Sequence, residues 1–258
     1  MISHVSYKIV EAESSPLPKG FLASIPNRFA AEGKVIYKGR NEIKVFEVGG
    51  RTVCVKKYRI PPFLNRILYS WGWRKPKAKR TYENAQKILS RGFDTPRQYG
   101  YVLEYRNGWI RESFSVGEFV ENSRTVGQDK QNAQSIRAFA DYTASLHAHG
   151  LMHRDYILNN ILYRQNEKGY AFTLIDINRF VFRSTPIRGF LQSMNLMQPF
   201  QDQQELNAFV QAYEAADPSS GALCARVARF RRWRNRYSAF KRFLKKLPGA
   251  YLFYKSRR

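Results

Sequence analysis

A chain of 258 residues with 43% hydrophobic and 15% aromatic content can bury one large core or two small lobes, which excludes disorder over most of its length. Lysine and arginine outnumber aspartate and glutamate by 44 to 20, so the net charge is +24 and the expected partner is a polyanion, either nucleic acid or an anionic membrane surface. Two cysteines, Cys54 and Cys224, exclude a disulfide framework. The absence of a signal-like start, or of an apolar run near the ~18 residues of a spanning helix, points to a reduced, soluble, intracellular protein.

Residues 1–33 read as a lead-in with Pro16, Pro18 and Pro26 and a short helix near 21–29. Three strands follow at 35–37, 43–48 and 52–57, separated by turn signals at Gly39-Arg40-Asn41 and Gly49-Gly50. The third contains Val53-Cys54-Val55-Lys56, a strand with alternate side chains buried and a lysine able to reach nucleotide phosphates. A basic, aromatic insert spans 61–75. The run 79–89 reads as a helix, and Glu83 is the only acidic residue between Lys56 and the turn at Gly92, so Glu83 is the expected partner of Lys56. Strands are expected at 98–104 and 109–114, with 111–114 linking two lobes; Glu112 and Phe114 there are expected beside a bound adenine.

Helical spacing of Ile136, Phe139, Ala140, Thr143 and Leu146 predicts a helix over 135–149 that Gly150 ends. His153-Arg154-Asp155 follows, with Asn160 five residues beyond Asp155, and then strands at 161–163 and 172–175 that lead into Asp176. Two carboxylates and an asparagine in this order suit phosphoryl transfer: Asp155 orients an attacking hydroxyl, while Asn160 and Asp176 hold magnesium against ATP phosphates. His153 is expected to brace this loop, and His147 and His149 point to different sides of their helix with no further ligand to complete a metal site. Arg179 fits either an anionic acceptor or a surface ion pair. The expected boundaries are 1–33 for the lead-in, 34–114 and 115–225 for the lobes, and 226–258 for a basic tail.

No acidic residue follows Asp217, and residues 226–258 hold thirteen lysines or arginines. Phe230, Trp233, Tyr237, Phe240, Leu244 and Leu247 recur at steps of three and four, one helical stripe among basic faces. Such a helix either packs its stripe on the second lobe or lies on anionic lipid.

With these residues in view, the chain resembles the lipopolysaccharide kinases, which phosphorylate Kdo or heptose in the lipopolysaccharide inner core. The resemblance rests on Val55-Lys56-Lys57-Tyr58-Arg59, Ser90-Arg91-Gly92-Phe93-Asp94-Thr95-Pro96, Leu146 through Asp155, Asn159-Asn160-Ile161-Leu162 and Leu174-Ile175-Asp176-Ile177-Asn178-Arg179. It implies an α+β, two-lobed protein-kinase-like fold with a small antiparallel sheet lobe and a mostly helical lobe. It also implies ATP and Mg2+, a core or lipid A-linked sugar as acceptor, and a cytoplasmic protein peripheral on the inner face of the inner membrane. The chain departs from the protein-kinase pattern in two places: Asn178 stands where a glycine hinge is usual, and the glycine-rich loop shrinks to Gly39, with Arg40 as a source of compensating charge. Two other readings use the same residues. One is a small Ser/Thr/Tyr protein kinase, and the other is an inactive basic pseudokinase that docks on nucleic acid or membrane; nucleic acid weighs less because the kinase residues point to another task.

Overall fold

The computed structural model describes residues 4–59, 63–121, 123–128, 133–167 and 169–244. They form two compact units: one runs to Glu121 and includes Asp176–Asn178, and the other takes the remaining described residues.

The first unit contains β1 (Val5–Glu11), α1 (Phe21–Ala31), β2 (Lys34–Lys38), β3 (Glu42–Val48), β4 (Arg51–Lys57), α2 (Phe63–Ser70), α3 (Lys77–Leu89), β5 (Gln98–Arg106) and β6 (Trp109–Glu118). Its strands make one antiparallel sheet in the order β1-β5-β6-β4-β3-β2. Alternation along the strands gives the sheet two apolar faces. Val53, Val55, Val102, Phe114 and Val116 pack with Phe21, Leu22, Ile25 and Phe29 of α1. Tyr101, Leu103 and Ile110 face the other way and pack with Tyr58, Tyr69 of α2 and Ala78 of α3. Lys44 reaches the end of α1, where its Nζ donates to the carbonyls of Phe29 at 2.7 Å and Glu32 at 3.0 Å, a cation on the negative end of the helix.

The lead-in expected over 1–33 is an integral part of this unit. β1 pairs with β5 along its whole length, from Val5 opposite Arg106 to Glu11 opposite Gly100, and α1 fills one face of the core. Gly100 permits this approach, because a Cβ there would run into the Val10 carbonyl and Leu22. The boundary expected at 114/115 also moves: β6 continues to Glu118, which pairs with Val53, and the unit ends at Glu121. The sheet holds residues 115–118 because β4 supplies them with ladder partners.

The second unit contains β7 (Arg124–Thr125), α4 (Ala133–Ala148), β8 (Leu151–His153), β9 (Ile161–Asn166), β10 (Gly169–Leu174), β11 (Phe180–Phe182), α5 (Gly189–Leu196), α6 (Gln203–Ala216) and α7 (Leu223–Leu244). Its core is aromatic: Phe139 of α4 stacks on Tyr156 at 5.5 Å and on Phe209 of α6 at 5.2 Å. Gly150 closes α4 at φ +71, a left-handed turn that glycine adopts without strain, and its N–H donates to the His147 carbonyl. Asp202 caps α6 by accepting from the N–H groups of Gln204 and Glu205. In α7 the first turns are packed, with Leu223 and Val227 buried and Phe230 edge-on to Phe190 at 5.0 Å. Farther along, the stripe opens to solvent, with Trp233 59%, Tyr237 47% and Phe240 55% exposed, and Phe243 beside it is 59% exposed. Leu247 and the rest of the basic tail lie outside the described residues.

Candidate active site

On the first unit, β4 directs Cys54 and Lys56 away from the α1 core, toward the face that α3 covers. Lys56 Nζ is 2.7 Å from Asp176 Oδ1 and 5.4 Å from the centre of the Tyr58 ring. Burial works against the Lys56 ammonium, but Tyr58 and Asp176 outweigh it and raise its pKa above the ordinary lysine value. Lys56 is therefore charged at any physiological pH. Beside it, burial pushes the Cys54 thiol up to about 11, which keeps it protonated.

Asp176 is held from a second side. Asn178 Nδ2 donates to Asp176 Oδ1 at 2.6 Å, and Asn84 Nδ2 of α3 donates to the Ile177 carbonyl at 2.7 Å. Asp176 itself sits at φ +53, a left-handed conformation that aspartate tolerates better than most side chains. Where a glycine would let this segment swing, Asn178 clamps it.

Glu83 does not meet Lys56. Its carboxylate lies 2.8 Å from Lys75 Nζ and 3.8 Å from Lys79 Nζ. The reason is helical phase: Thr81 and Asn84 carry the α3 face that bonds to Tyr58 and Ile177, and Glu83 stands about 200° round the helix from Thr81. Glu112 and Phe114 are also displaced from their expected roles. They alternate with Ser113 and Ser115 in the middle of β6 and so point to the α1 face, Glu112 onto Lys57 and Phe114 into the core against Phe29 at 5.4 Å. The chain leaves the sheet only after Glu118. Gly39 and Arg40 lie in the turn between β2 and β3, where the Gly39 N–H donates to the Asn41 carbonyl; a Cβ on Gly39 would be 2.6 Å from the Tyr37 hydroxyl.

On the second unit, Asp155 follows β8 and Asn160 ends a 3-10 turn over Leu158–Asn160. His153 braces the loop, because its Nδ1 accepts from the Asp155 N–H at 3.1 Å and its Nε2 donates to the Ile175 carbonyl at 3.0 Å. Both contacts require one neutral tautomer, with the proton on Nε2. Asn160 Nδ2 donates to the Asp155 carbonyl at 2.8 Å, which leaves its amide oxygen as the group suited to a hard cation. Arg179 lies on the Asp155 carboxylate, with Nη1 at 2.9 and 3.2 Å from its two oxygens.

A buried network supports this loop from below, and sequence reasoning missed it. Asn195 Nδ2 donates to the His153 carbonyl at 2.7 Å, and Asn195 Oδ1 accepts from His147 Nε2 at 2.9 Å. His147 Nδ1 meets the Tyr213 hydroxyl at 2.9 Å, which in turn accepts from Gln192 Nε2. Burial holds the His147 pKa down at about 4, so this histidine is a neutral strut. His147 falls on the apolar face of α4, and that was the available signal.

The lipopolysaccharide kinase (Kdo/WaaP) family model matches residues 30–213. The chain belongs to this family. As a Kdo/WaaP-family kinase it is a phosphotransferase, acting in the chemistry of the lipopolysaccharide core and using ATP. Among solved structures, it is similar to one described as WaaP in complex with acyl carrier protein, at 17% identity over 86% of this chain and 97% of that chain, with a TM-score of 0.56. That similarity shows a protein-kinase-like fold. The Rio2 kinase-ADP/Mg2+-phosphoaspartate complex from Chaetomium thermophilum aligns at 15% identity over 82% of this chain and 81% of that chain, with a TM-score of 0.45. No curated relative matches the sequence.

Proposed function

We propose that this Kdo/WaaP-family kinase transfers the γ-phosphoryl group of ATP to a hydroxyl of Kdo or heptose in the lipopolysaccharide inner core, with magnesium. The observation that carries this reading is the Lys56–Asp176 pair at 2.7 Å, a half-buried cation tied to a carboxylate that Asn178 also fixes. Lys56 binds and orients the phosphates. Asp155 accepts a hydrogen bond from the acceptor hydroxyl and points its oxygen at phosphorus, with its backbone held by His153 and its carboxylate steadied by Arg179. Asp176 and Asn160 supply hard oxygen donors, as magnesium requires, and would hold it; when bound, the metal neutralises phosphate charge. Adenine is held by main-chain groups beyond Glu118, at 119–121, rather than at 111–114.

The exposed aromatic and basic half of α7 supports a second element of the reading: docking on the anionic inner face of the membrane, where a lipid-linked sugar acceptor resides. A protein or nucleic-acid acceptor explains the charge but not this lone aromatic stripe. The deciding experiment measures ATP consumption and phosphate incorporation with purified core lipopolysaccharide, a generic protein and RNA side by side. Turnover on lipopolysaccharide that is lost in Asp155→Ala is the expected result; incorporation into protein alone would reassign the chain as a protein kinase.

A further inference from the structure

The first unit carries more positive charge around Lys56 than Asp176 offsets. α3 turns one stripe toward the Lys56–Asp176 segment: Thr81 meets the Tyr58 hydroxyl at 2.7 Å, and Asn84 bonds to Ile177. Lys77 stands one turn before Thr81 on that stripe, about 40° round the helix from it, in the first turn of α3. Lys77 is half-buried and, with Tyr58, Tyr69 and Pro76, lines a small pocket. Arg40, in the turn between β2 and β3, is close enough for its charge to act on Lys77.

Neither the Lys77 ammonium nor the Arg40 guanidinium is committed to a hydrogen bond or an ion pair among the described residues. Burial, then Arg40, then Lys56 and Arg80, all press the Lys77 pKa below its ordinary value, and only Asp176 opposes them. The first turn of α3 contains no acidic residue, so the positive end of the helix is unneutralised as well. Uncommitted cations crowded around a half-buried lysine are costly unless an anion joins them. The turn that would wrap phosphates with backbone N–H groups has a single glycine, Gly39.

We propose that Lys77 and Arg40 grip the terminal phosphates of the nucleotide alongside Lys56, supplying with side-chain charge what a glycine-rich loop supplies with backbone donors. This rests on the kinase reading above and extends its phosphate site to Lys77, which lies outside the phosphoryl-transfer motifs, acting together with Arg40 of the shortened glycine loop. Both are binding residues for the nucleoside triphosphate, and the distinguishing prediction is selectivity for the triphosphate over the monophosphate.

The test titrates ATP, ADP and AMP into the full chain by calorimetry, with Lys77→Gln, Arg40→Gln and, as a control, Lys79→Gln, whose lysine lies toward Glu83. Loss of one charge-assisted contact should weaken ATP binding by about tenfold to a hundredfold for Lys77→Gln and Arg40→Gln, with AMP affinity unchanged. Lys79→Gln should bind all three nucleotides as the parent does. In parallel, amine-reactive labelling of the unsubstituted chain, read by peptide mass, should modify Lys77 readily, with protection by ATP and not by AMP. Should Lys77→Gln fail to fold, Arg40→Gln and the labelling still decide. A parent chain that binds no nucleotide would sink the kinase reading itself. A parent that binds ATP while both variants match it, or lose ATP and AMP equally, or label at Lys77 regardless of ATP, would overturn the phosphate grip alone.

Discussion

Asp155 and Asp176 are both carboxylates, yet their removal should have different consequences. Asp155→Ala and Asp176→Asn should each cut turnover about a thousandfold or more, the usual consequence of losing a group that acts on the reacting atoms. Nucleotide affinity should fall much further for Asp176→Asn, because Lys56 then loses its partner at 2.7 Å. ATP turnover and nucleotide titration of the two variants check this, and near-parental turnover in Asp155→Ala would disprove the catalytic-loop assignment. The position of Glu83 yields a sharper contrast. Lys56→Met should abolish activity, whereas Glu83→Gln should cost no more than about 1 kcal/mol of stability and leave turnover near that of the parent, since its pairs with Lys75 and Lys79 are partly exposed. Steady-state kinetics of both variants suffice. Lys56 could be read from sequence because strand alternation decides which face it occupies. Glu83 was misread because order along the chain says nothing of helical phase, and a shift of one position is 100°.

At the scale of elements, the sheet was legible wherever alternation met turn glycines: β3 and β4 fall within a residue of the expected bounds. β1 was not legible, since both its faces are largely exposed and its order comes from the β5 edge rather than from its own apolar residues. β6 was cut short because Ser115 and Gly117 look like loop residues, although β4 pairs with both. α1 can be tested directly. Each of Phe21, Leu22, Ile25 and Phe29 contributes about 1.5–3 kcal/mol by burial, so a chain beginning at residue 30, where the family match starts, should fail to fold its first unit. Circular dichroism of the shortened chain checks this; a native melt would refute it. The network under the Asp155 loop has its own signature. His147 is held near pKa 4 in the fold against 6.5 when unfolded, so the unfolded chain takes up the proton first as pH drops. The contribution is intact above about pH 6.5 and lost as pH falls through 4, about 3 kcal/mol in all. Denaturant midpoints measured from pH 7.5 to 4 should slope down, and His147→Gln, less stable at the start, should flatten that part of the slope.

Over the whole molecule, the charge is lopsided: thirteen basic residues and no acidic one follow Arg226 inclusive. At about 1 kcal/mol each near an anionic surface, they would anchor the chain without a spanning helix, and among the described residues no helix is long and apolar enough to cross a membrane. Sedimentation with anionic vesicles should be strong at low salt and weak at high salt, and removal of residues 232–258 should abolish it while leaving the packed start of α7 in place. With Trp71, Trp73 and Trp109 replaced by Phe, Trp233 is the one tryptophan left and its emission should shift blue on lipid; an intact chain that ignores vesicles at low salt would end the membrane reading. The two cysteines add a use for the fold's division into units. Cys54 lies in β4 and Cys224 at the start of α7, one thiol in each unit, and burial raises the pKa of both. Each is slow to react while its surroundings stay closed and becomes an ordinary thiol when they open. Alkylation rates at the two sites, followed separately by peptide mass as denaturant rises, would thus time the opening of each half of the molecule, with no residue changed.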